Sequence, residues 1–123
     1  MAEVFYLHWN QQEAEKTVRS LEAAGHTVRY HWNTETVAKF EGWLPQIAII
    51  SLERLPSHGR SYAEWLWEAK YRRNIPILFL GSKPDKIEPT RAKFPDATFC
   101  ARDDLIPALA HLVHSLMPEE PGS

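Results

Sequence analysis

Short apolar runs alternate along this chain with longer stretches in which apolar residues return every three or four positions. Val4-Phe5-Tyr6-Leu7 is the first run, rich in aromatic and β-branched side chains, and predicts a strand buried on both faces. Asn10 is placed to cap a helix over about residues 11–24, with Ala14, Val18, Leu21 and Ala24 inward and Glu13, Glu15, Lys16, Arg19 and Glu22 facing water. Gly25 ends it. Thr27 to Tyr30 predicts a second strand, and Thr34 a cap for a second helix carrying Val37, Phe40 and Leu44, which Pro45 stops.

Ile47-Ala48-Ile49-Ile50 and Ile75-Pro76-Ile77-Leu78-Phe79-Leu80 predict central strands, the proline standing where a missing N–H does least harm. Between them Tyr62, Trp65, Leu66 and Ala69 mark one face of a third helix, introduced by a loop from Leu55 to Gly59. Pro84 and Pro89 leave only a turn or two of helix between Ile87 and Phe94. Ala97 to Ala101 predicts a last strand. Asp103 then caps a helix with the stripe Leu105, Leu109, Leu112, Val113 and Leu116, and with His111 and His114 on its outer or boundary face. Five βα units in order predict an α/β fold with a parallel sheet and helices on both faces. Right-handed crossovers favour the strand order 2-1-3-4-5, a flavodoxin-like three-layer αβα sandwich. One domain over 1–117 with a flexible tail at 118–123 is expected.

Composition narrows the function classes. The 123 residues suit one core, and 14 basic against 16 acidic side chains give a net charge of -2, which draws the chain to neither nucleic acid nor anionic lipid. Cys100 stands alone, so neither an internal disulfide nor a thiolate metal cluster is available, in keeping with a reducing cytoplasm. The start MAEVFYLHWN lacks a signal peptide's basic head and apolar core, and no apolar run approaches the roughly 20 residues of a membrane span. A cytoplasmic protein without membrane contact is expected.

In a doubly wound sheet, ligands bind beyond the carboxyl ends of the strands, where strand order reverses. His8, Trp9, His31, Trp32, Ser51, Glu53, His58 and Ser82 fall near that edge, and His-Trp-Asn occurs at both 8–10 and 31–33. Taken singly, each residue is best read as capping a strand end or packing on a neighbouring helix. Taken together, they keep a ligand or partner site open. A metal site from His8, His31 and His58 lacks ligand spacing, and a Ser51–His8–Glu53 hydrolase lacks the G-x-S-x-G elbow and an oxyanion hole. No glycine-rich phosphate loop is present, and Lys70, Arg72 and Arg73 are accounted for by a helix C-terminus.

The order of elements resembles a response-regulator receiver domain over nearly the whole chain. The most specific stretch is Pro45-Gln46-Ile47-Ala48-Ile49-Ile50-Ser51-Leu52, continued by Leu55-Pro56 and Gly59, which is similar to the receiver's third strand and the loop beyond it. Lys16 to Val28, Ile75 to Leu80 and Phe99-Cys100-Ala101-Arg102 resemble the first helix, fourth strand and fifth strand. The resemblance puts Ser51 at the phosphoacceptor position and His8, Trp9 and Asn10 at the acidic pair. It puts Gly81, with Ser82 beside it, at the hydroxyl residue, Arg102 at the lysine and Phe99 at the switch aromatic. Those residues imply a degenerate pocket that neither holds magnesium nor accepts a phosphoryl group. The expectation is a non-enzymatic pseudo-receiver of two-component type, without cofactor or metal. It acts through protein–protein contacts and forms a homodimer through its last helix. The alternative is a small-ligand or metal-binding module using the edge formed by His31, Trp32, Glu53 and His58.

Overall fold

The computed structural model describes residues 2–33, 44–53, 56–68, 74–81 and 84–116. Its strands are β1 (Glu3–Leu7), β2 (Thr27–His31), β3 (Ile47–Ser51), β4 (Ile77–Leu80) and β5 (Thr98–Cys100). They pair in parallel in the order β2-β1-β3-β4-β5, as the succession of βα units requires. In the register Tyr6 lies beside Ile49, Leu7 beside Ile50, and Ile50 beside Phe79. β3 and β4 are buried along their whole length, which is why they read as unbroken apolar runs. The edge strands β2 and β5 have no fully buried residue: β2 runs between exposed and half-buried, and β5 is half-buried throughout.

Side chains alternate across the sheet and make two cores. Phe5, Leu7, Ala48, Ile50 and Phe79 pack with Ala63, Leu66 and Phe94 on one face. On the other, Val4, Tyr6, Ile47, Ile49 and Leu78 pack with Val18, Leu21, Leu105 and Leu109. The helices are α1 (Gln11–Ala23), α2 (Pro56–Glu68), α3 (Pro84–Lys93) and α4 (Leu105–Leu116). α1 starts where the Asn10 side chain accepts the Glu13 N–H at 3.0 Å and stops before Gly25, whose φ of 96° suits a residue without Cβ.

Three local expectations need correction. The stretch 56–59 is helical and not loop, because Pro56 occupies the first helical position, where no N–H is needed. α3 runs ten residues and not a turn or two: Pro84 opens it, and Pro89, inside the helix, faces solvent. Asp103 does not cap α4. It lies within a 3-10 turn, Arg102–Asp104, that precedes the helix and is closed by the Asp104 N–H on Ala101 O at 3.0 Å.

On the α2 face of the sheet, two polar straps join the neighbouring helices: Lys93 of α3 pairs with Glu64 of α2, and Arg60 of α2 donates to the buried Thr90 of α3 at 3.4 Å. Phe79 packs against Phe94 beneath them, with ring centroids 5.6 Å apart. Thr34, Val37 and Phe40, expected in a second helix, lie outside the described residues, as do Ala69 and the tail at 118–123. On α4, Leu105 and Leu109 are buried, Leu112 and Val113 are half-buried against them, and His111 and His114 are exposed. No helix among the described residues is long and apolar enough to cross a membrane.

Candidate functional site

The strand ends divide into two groups according to the face each residue inherits. His8 follows Tyr6 at a two-residue interval, so it faces α1 and stacks on the Tyr6 ring at 5.9 Å. It is fully buried, and its Nε2–H donates to Glu13 Oε1 at 2.7 Å. A carboxylate only accepts, so this contact fixes the neutral ring as the Nε2–H tautomer and leaves Nδ1 an acceptor. Nδ1 is buried with no hydrogen-bond partner among the described residues. Burial pushes the imidazole below its ordinary pKa of 6.5 and Glu13 pulls it back up.

Trp9 points the opposite way, into the core of Phe5 and Leu7, and meets His31 edge-on at 6.1 Å. His31 Nε2 donates to the Asn33 carbonyl at 2.7 Å. Trp32, beside it, is 37% exposed. Asn10 is a helix cap, its own N–H bonded to His8 O at 2.9 Å.

Ser51 ends β3 fully buried, and its Oγ accepts the Glu53 N–H at 3.2 Å. Glu53 turns away from the His31–Trp32 edge, toward Arg102 at the start of the 3-10 turn. The Arg102 Nε donates to Glu53 Oε1 at 3.0 Å, Nη2 donates to the same oxygen, and Nη1 donates to Thr17 Oγ1. Burial, the largest single influence, works against the guanidinium charge, but Glu53, Tyr6 and Glu13 together outweigh it, so the Arg102 pKa is raised. Tyr6 lies under this group, fully buried and with its hydroxyl unbonded among the described residues; burial raises its phenol pKa.

Gly81 donates its N–H to Cys100 O at 3.0 Å, and a Cβ there would stand 3.4 Å from Leu52 Cβ. Phe99 is held between the Phe79 ring, 5.1 Å away, and the Arg91 guanidinium, 5.1 Å from its centroid. The Ser82 residue and the His58 side chain lie outside the described residues.

The structure thus brings His8, Ser51, Glu53 and Arg102 to one side of the strand ends and Trp9 with His31 to the other, while Trp32 follows β2 partly exposed. His8 bonds Glu13 and Glu53 bonds Arg102, so neither joins Ser51 in a triad. Among the described residues no group of three His, Cys, Asp or Glu side chains is placed to hold a metal. Thr17, Tyr6 and Glu13 belong to the cluster although the sequence reading assigned them no role, Glu13 having been expected to face water. The signals were present: Thr17 falls three residues after Ala14 on the buried stripe, and Asn10-x-x-Glu13 has capping-box spacing.

No family model and no curated protein matches the chain. Solved structures do. The receiver domain of a signal transduction histidine kinase from Syntrophus aciditrophicus matches with a TM-score of 0.74 at 20% identity, covering 100% of this chain and 98% of that one. Vibrio cholerae chemotaxis protein CheY4 matches at 0.73 and 15% identity, over 95% and 99% of the two chains. A Francisella response-regulator receiver domain matches at 0.72 and 18% identity, over 95% and 100%. The chain therefore has the flavodoxin-like fold of response-regulator receiver domains, with five parallel strands in their order.

Proposed function

We propose that this chain is a receiver-fold signalling module that works through protein–protein contact and takes no phosphoryl group at its strand ends. The observation that carries the reading is the commitment of Arg102 to Glu53 and Thr17. Phosphoryl transfer to a strand-end side chain needs a free cation for the incoming charge and carboxylate oxygens for magnesium. The donor set does not fit magnesium. His8 presents imidazole, the Asn10 side chain caps α1, and Glu53 is bonded to a guanidinium. Ser51 is buried with its oxygen bonded to the Glu53 N–H, and no general base is bonded to it among the described residues. On this reading residues 1–117 form a non-enzymatic cytoplasmic module, and His8, Trp9, Asn10, Ser51, Gly81, Ser82 and Arg102 are the remnant of a phosphorylation pocket. Phe99 would stand at the switch position. Self-association through α4 remains part of the reading on the strength of its long apolar stripe.

The test is incubation with Mg²⁺ and acetyl phosphate followed by intact mass measurement. The expected mass is that of the unmodified chain. A stoichiometric phosphoryl adduct that disappears in Ser51→Ala overturns the reading.

A further inference from the structure

We draw no further inference here: the strongest candidate, the groove between α1 and the outer edge of β2 lined by Val18, Val28 and Tyr30, is a sheet edge with no strand paired to it among the described residues, and nothing in the structure shows what covers it.

Discussion

Arg102 and Glu53 clasp each other across 49 residues of chain, with the guanidinium Nε 3.0 Å from the carboxylate Oε1. With Nη1 on Thr17, the contact ties the turn after β5 to the loop after β3 and to the middle of α1. Removing the cation leaves a partly buried carboxylate and a buried hydroxyl to find water. Both partners are about a third exposed, at 32% and 29%, so water softens the loss. Arg102→Ala is expected to lower stability by about 1–2 kcal/mol. Urea denaturation checks this: the midpoint falls and the slope stays. A midpoint equal to that of the parent protein contradicts the structural role given to the pair.

His8 makes stability depend on pH. Its native pKa is depressed by burial, so between the native value and the unfolded value of about 6.5 the unfolded chain holds the extra proton. Stability is complete above that window, falls as pH drops through it, and levels off below the native pKa. His26, whose Nδ1 accepts the Ala2 N–H, is depressed in the same direction by burial and by the chain's amino group. His8→Gln is therefore expected to remove part of the acid destabilisation, leaving the His26 share. Melting temperatures of both proteins between about pH 8 and pH 5 provide the comparison; parallel curves would show that His8 takes no part.

Two glycines separate backbone strain from crowding. At Gly25 a Cβ meets nothing within 4 Å, so Gly25→Ala is resisted only by the positive φ, at about 1 kcal/mol. At Gly59 it stands 3.0 Å from Ile50 Cγ2 and 3.1 Å from the Ser51 carbonyl, so α2 must move off β3. Gly59→Ala is expected to cost more, about 1–3 kcal/mol. Chemical denaturation that ranks Gly25→Ala as the more harmful change counts against the close approach of α2 to β3.

Cys100 should be slow to react. Burial, with Asp104 adding to it, pushes its thiol up to about 11, so little thiolate exists near neutral pH. Labelling by a thiol-specific disulfide reagent is expected to run at least about tenfold more slowly in the native protein than in urea. Equal rates would mean that the end of β5 opens freely.

The sheet was open to reading from sequence because its central strands are buried on both faces and show as unbroken apolar runs, and the Asn10 cap and Gly25 stop were equally local signals. α3 was harder. Two prolines look like breakers when counted, yet Pro84 occupies the position that wants no N–H and Pro89 points to solvent. The strand-end residues could be named, but their sides could not. Whether His8 or Trp9 faces α1 depends on the phase of β1, which His8 shares with Tyr6 and Trp9 with Phe5. The Thr17–Arg102 bond spans 85 residues, a separation at which no local pattern carries a signal.

The straps between α2 and α3 have a consequence for how the molecule opens. Lys93–Glu64 and Arg60–Thr90, with Phe94 packed on Phe79 below, make it costly for either helix to lift away alone. The two should exchange their amide hydrogens as one cooperative unit. α1, bound to the opposite layer through Thr17 and Arg102, belongs to another such unit. The sheet is the floor common to both, and the amides of its buried central strands should exchange last, when the whole chain comes apart.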